Sequence, residues 1–140
     1  MYKAIKYLFI CLLFVSSPAL FAQEQTKEEM EQEKQFRESL DKLIEQYESD
    51  FNLESWQVFY VDSILTHDFT AMTDELKAMG KSKVENSDLY QAVRDKWSEK
   101  IYNSMHGVLD EQQWAKYLKS GAGKDKKARD KRKEKREKSL

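Results

Sequence analysis

WQVFYVDSILTHDFTAMTDELKAM, residues 56–79, is the stretch whose reading decides the fold. Within it Val58, Val61, Leu65, Phe69, Met72, Leu76 and Met79 recur at intervals of 3, 4, 4, 3, 4 and 3. That is the apolar stripe of an amphipathic α-helix, and no Gly or Pro interrupts it. At about 1.5 Å per residue the helix is on the order of 36 Å long. A rod of that length with one apolar face needs partners, so the flanking segments must supply them.

Downstream, Gly80-Lys81-Ser82-Lys83 reads as the stop, with Gly80 placed for a left-handed helix end. Asn86, Ser87 and Asp88 are each able to cap the next helix. Its stripe is Tyr90, Val93, Trp97, Ile101, Met105 and Val108. The short connection makes this helix the antiparallel neighbour of the first, in the manner of a two-stranded coiled coil. Upstream, Phe36, Leu40, Leu43, Ile44 and Tyr47 predict a helix over 28–49. Residues 23–35 are polar and read as its frayed or exposed start. Asp50-Phe51-Asn52 punctuates its end, with Asn52 or Asp50 available to cap the long helix. Gly107 precedes a short last helix from Asp110, edged by Trp114, Tyr117 and Leu118, and Gly121-Ala122-Gly123 closes the packed part. The fold class is therefore all-α. A long antiparallel helical hairpin is flanked by an N-terminal helix and a short C-terminal helix, together forming one domain over residues 23–121.

The 140 residues suffice for one small domain, and 35% charged residues with a single Pro suit helices better than a β-sandwich. Formal net charge is −1, but its distribution is uneven. Residues 23–115 hold 10 Lys/Arg and 21 Asp/Glu, a net charge of −11, whereas residues 116–140 hold 12 and 4, a net charge of +8. An acidic body carries a basic tail.

Residues 1–22 read as a secretory signal peptide. Lys3 and Lys6 precede the apolar run Tyr7–Val15, Ser16-Ser17-Pro18 breaks it, and cleavage follows Ala22 or Ala19. The run is short for a bilayer span, so no transmembrane segment is expected after cleavage. Cys11, the sole cysteine, lies inside the run and lacks a lipoprotein context, which leaves the mature chain without a thiol. The expected location is periplasmic.

The strings Leu53-Glu54-Ser55-Trp56-Gln57 and Leu109-Asp110-Glu111-Gln112-Gln113 share Leu-x-x-x-Gln with an acidic second residue. The spacing has a physical reason. A cap side chain accepts from the third backbone N–H of the helix, and Gln at that position reaches back to the cap while the preceding Leu staples the turn. The second copy, with Asp110 as cap, is the stronger one. The pair resembles the repeated Leu-Thr-x-x-Gln motif of the Spy/CpxP family of periplasmic proteins, with Glu54 and Asp110 standing in place of Thr. The resemblance implies a small all-helical protein forming an antiparallel, cradle-like homodimer. It also implies an ATP-independent chaperone or envelope-stress modulator, some relatives being metal-responsive.

No Gly-rich phosphate loop, Gly-x-Ser-x-Gly elbow or His-Glu-x-x-His motif is present, and Ser55, Ser63 and Ser104 lack a recognisable His/Asp partner. No catalytic residue, cofactor or metal site is expected. His67 and His106 fall about seven residues apart along the hairpin axis, about 10 Å, too far to share a metal within one subunit. A dimer or the His67–Asp68 pair is the only route to one. The rings Phe36, Trp56, Phe59, Tyr60, Trp97, Tyr102 and Trp114 exceed what so thin a bundle can bury. They are candidates for a surface that holds unfolded or partly folded proteins, and equally for the core or a dimer contact. The cations Lys126, Lys127, Arg129, Lys131, Arg132 and Lys133 lie in a segment, residues 122–140, with no apolar stripe. It reads as a solvated tail, part helical and part disordered. It can contact an anionic envelope surface, fold back on the acidic body, or simply solubilise the chain. Nucleic acid is not an expected partner.

Overall fold

A computed structural model describes the backbone of residues 19–138, and the side chains from residue 27 onward. The signal-peptide reading of residues 1–22 lies, apart from the backbone of 19–22, outside the described residues. The described residues are helical almost throughout and contain no strand, so the chain is all-α. The elements are α1 (Ala19–Phe51), α2 (Ser55–Lys81), α3 (Ser87–Val108), α4 (Glu111–Tyr117) and α5 (Gly123–Lys138). A turn kinked at Gly121, Leu118–Ala122, joins the last two.

The chain divides into two units, one ending at Ser39 and one spanning Leu40–Leu140. In the first, the side chains of residues 27–35 are all exposed and Phe36 is half-buried. Here α1 begins well before residue 28. Its opening is rich in Glu, Lys and Gln, which are good helix formers, and contains neither Gly nor Pro.

The second unit contains the core. Val61 and Leu65 of α2 and Met105 of α3 are sealed from solvent, with Leu40, Ile44, Phe51, Ile101 and Tyr117 buried around them. All but Phe51, which lies in the Asp50-Phe51-Asn52 break, are members of the sequence stripes, and each large aliphatic side chain so buried contributes about 1.5–3 kcal/mol. The rings of Tyr47, Phe51 and Tyr117 close one end, with centroids 4.9–5.9 Å apart. The hairpin register is visible in its cross-links. Lys100 reaches Asp68 at 2.8 Å, and Lys96 and the Trp97 indole N–H both reach Glu75, at 2.6 and 2.7 Å.

The turns correct three expectations. Left-handed backbone falls on Lys83 (φ +54°), not Gly80. Lys83 N–H bonds to Gly80 O and Val84 N–H to Met79 O, which satisfies the last carbonyls of α2. Neither Asp50 nor Asn52 caps α2. Asn52 takes φ +53° and ends α1, with Leu53 N–H on Glu48 O, while Glu54 is the cap residue. Asn86 caps α3, accepting from Asp88 N–H at 2.9 Å.

The third correction concerns residues beyond Gly123. They do not form a segment with nothing to pack against. Gly121 turns the chain with φ +121°, and α5 then lies on α3. Charge replaces the missing apolar stripe. Lys126, Arg129, Arg132 and Arg136 recur at helical spacing and so share one face. That face meets Asp95 and Glu99 of α3.

Candidate functional site

The two Leu-x-x-x-Gln strings end in one place. Gln57 Oε1 accepts from Glu54 N–H at 2.9 Å and Gln113 Oε1 from Asp110 N–H at 3.0 Å, so each glutamine closes its own helix start. Asp110 Oδ1 accepts from Gln113 N–H at 2.8 Å, completing the second box. The amides then pair with each other: Gln57 Nε2 donates to Gln113 Oε1 at 2.6 Å and Gln113 Nε2 to Gln57 Oε1 at 2.8 Å. Each also donates to the carbonyl preceding the other string's leucine, Val108 O at 3.0 Å and Asn52 O at 3.3 Å. Both amides are buried and fully partnered, and Leu53 and Leu109 are buried beside them.

This junction anchors the N-terminal end of α2. The seven candidate rings separate into groups. Trp56, Phe59 and Tyr60 stand out of the fold, 52%, 69% and 51% exposed. They contact one another edge to face, Trp56–Tyr60 at 6.1 Å and Phe59–Tyr60 at 5.6 Å between centroids. The Trp56 indole N–H donates to Glu54 Oε2 at 2.7 Å, which fixes that ring. The other four rings are half-buried. Trp97 bonds Glu75 and lies under the ammonium groups of Lys96 and Lys100. Tyr102 and Trp114 pack on each other at 4.9 Å and on Tyr117. Phe36 belongs to the first unit.

The tail cations also separate. Arg132 holds Asp95 through two nitrogens, at 2.7 and 3.0 Å, and Arg136 adds a third contact at 3.0 Å. Arg129 is buried, pairs with Glu99 at 3.3 Å and lies over the Tyr102 ring. Lys126 pairs with Glu99 and with Asp130 of its own helix. Lys127, Lys131 and Lys133 are exposed. Burial by itself would raise the Asp95 pKa, but the hydrogen bonds from Arg132, Gln91 and Arg136 outweigh it and bring the carboxyl down to about 2. Glu75 is also lowered, first by Lys96 and then by Trp97. Both shifts run opposite to what a general acid at neutral pH requires.

His67 Nδ1 lies 2.8 Å from Asp68 Oδ1, while the His106 ring lies 4.4 Å from that of Trp114. The structure does not bring the two histidines together. Among the described residues no group of three or more His, Cys, Asp or Glu is placed to hold a metal. Among the same residues no helix is long and apolar enough to cross a membrane.

Sequence reasoning missed the amide pairing, because a capping box explains each glutamine locally and is silent on its Nε2. It left the docking of α5 as one of three readings of the tail, because that segment lacks apolar periodicity, the usual sign of a packed helix. The signal was present as basic residues at helical spacing, opposite an acidic pair four apart in α3. Compared with family models, curated proteins and solved structures, the chain matches none.

Proposed function

We propose that the chain is an exported binding protein that holds apolar segments of partly unfolded proteins, without nucleotide, on the face formed by Trp56, Phe59 and Tyr60. The observation that carries this reading is the grouping of three rings, each at least half exposed, within about one turn of one helix. Such rings supply large contact area at low conformational cost. Partial burial of three of them contributes a few kcal/mol at about 25 cal/mol per Å², before the cost of association. That amounts to weak, reversible capture, as a holding protein needs. The acidic character of residues 23–115 discourages association between copies. The resemblance to Spy/CpxP proteins points the same way.

The test is aggregation of a chemically denatured client in the absence of ATP. The wild-type chain suppresses it at several-fold molar excess. The triple variant Trp56→Ser, Phe59→Ser, Tyr60→Ser does not. Sedimentation velocity on the same pair separates client holding from homodimer formation. A dimer that dissociates in the triple variant, with no effect of either protein on the client, assigns the rings to self-association and removes the holding function.

A further inference from the structure

Six segments of the second unit meet around a half-open cavity of about 200 Å³. Phe69 of α2 and the edge of Ile101 of α3 supply a small apolar patch, backed by the sealed Leu65. The opposite wall is α5, which presents Asp125 and Arg129, one turn apart on the same face. The turn kinked at Gly121, with φ +121°, forms a third side.

Arg129 makes this cavity more than a packing gap. It is only 7% exposed, and its Nη2 is buried with no hydrogen-bond partner among the described residues. A guanidinium carries five donors, and a buried one left unmet is costly unless an acceptor arrives. Glu99 takes only the Nε side, at 3.3 Å. Asp125 is exposed and makes no ion pair among the described residues. Its charge is felt in the cavity, since after burial it is what raises the Tyr47 phenol pKa. The cavity therefore offers one positive and one negative group about a helical turn apart, above an apolar floor. A bare anion satisfies Arg129 but meets Asp125, and a bare cation does the reverse.

We propose that this cavity binds a free amino acid with a branched apolar side chain, its carboxylate on Arg129, its ammonium on Asp125, and its side chain against Leu65, Phe69 and Ile101. Size agrees. A cavity of about 150 Å³ accepts a benzene, so 200 Å³ accommodates leucine, with about nine heavy atoms. The site is separate from the exposed rings and does not depend on the holding function.

The experiment is an NMR titration of the methyl-labelled full chain with L-leucine. Saturable shifts of the Leu65 and Ile101 methyls are expected, with a dissociation constant of about a millimolar or below. 4-Methylpentanoate, which lacks the ammonium, and isoamylamine, which lacks the carboxylate, bind about tenfold more weakly, the scale of one charge-assisted hydrogen bond. Arg129→Lys weakens leucine binding by about tenfold, because an ammonium does not reproduce the planar fork. Asp125→Asn, at an exposed position, retains the fold and removes the preference for leucine over 4-methylpentanoate. Absence of saturable shifts at tens of millimolar L-leucine overturns the proposal. So does equal binding of either single-charge analogue to the wild-type chain.

Discussion

Gln57 and Gln113 are paired amide to amide, 56 residues apart in sequence and within 2.8 Å in space. The pattern of bonds is two-fold symmetric. Each glutamine closes its own helix start, grips the other, and donates to the carbonyl just before the other's leucine. The junction ties the start of α2 to the start of α4. It thereby fixes where the short last helix, and the docked segment after it, must lie.

Gln57→Ala is expected to cost about 2–4 kcal/mol, because it leaves a buried amide and a cap N–H without partners as well as a cavity. Gln113→Ala costs a similar amount. The double variant Gln57→Leu, Gln113→Leu costs less than the two single Ala changes added together, since both sides of the pair leave at once. Urea denaturation of the four proteins checks this.

The attachment of α5 depends on pH through Asp95. Its folded pKa of about 2 lies below the ordinary 3.8, so the ionised form is favoured by the fold. The stabilisation, about 2 kcal/mol, is fully present above pH 3.8 and is lost as pH falls from there towards 2. Asp95→Asn mimics the low-pH state. Limited trypsin digestion at neutral pH then cuts the basic segment faster than in the wild-type chain. High salt has a smaller effect, because Asp95 is nearly buried.

Lys83 occupies left-handed backbone that suits glycine better. Lys83→Gly is expected to stabilise the chain by about 0.5–1 kcal/mol, the relief of strain exceeding the added unfolded-state entropy. At Gly80, whose φ is not positive, the reverse substitution is the stabilising one. Gly80→Ala meets no atom within 4 Å and gains helix propensity of about 1 kcal/mol. Thermal melts of the two variants distinguish this placement of the turn from one centred on Gly80.

Replacing Trp56, Phe59 and Tyr60 together by Ser is expected to lower folding stability by about 1 kcal/mol per site, because about half of Trp56 and Tyr60 and less of Phe59 is buried. Trp114→Ala, at a ring packed on Tyr102 and Tyr117, costs about 3 kcal/mol or more. The contrast, read by urea midpoints, separates rings that hold the fold from rings left for binding.

The helices and their pairing were legible in the sequence because both are local. A stripe at 3.6-residue spacing states which face is buried, and a short polar link leaves an antiparallel neighbour as the compact arrangement. Val61, Leu65, Ile101 and Met105 lie at the core because their spacing admits no other face. The Leu-x-x-x-Gln strings were legible as helix starts for the same reason. Which of seven rings stay exposed was not legible. Trp56 and Trp114 are chemically alike and both sit in the first turns of helices, yet one faces solvent and the other is packed among Tyr102, His106 and Tyr117.

Sequence by itself determined an all-α chain built on one long hairpin, with its charge divided between an acidic body and a basic end. Only the tertiary structure decided that Gln57 meets Gln113, that Arg132 closes on Asp95, and that Arg129 lines a cavity. Periodicity is set by neighbours three and four residues away, whereas a bond across 37 or 56 residues depends on where whole helices come to rest.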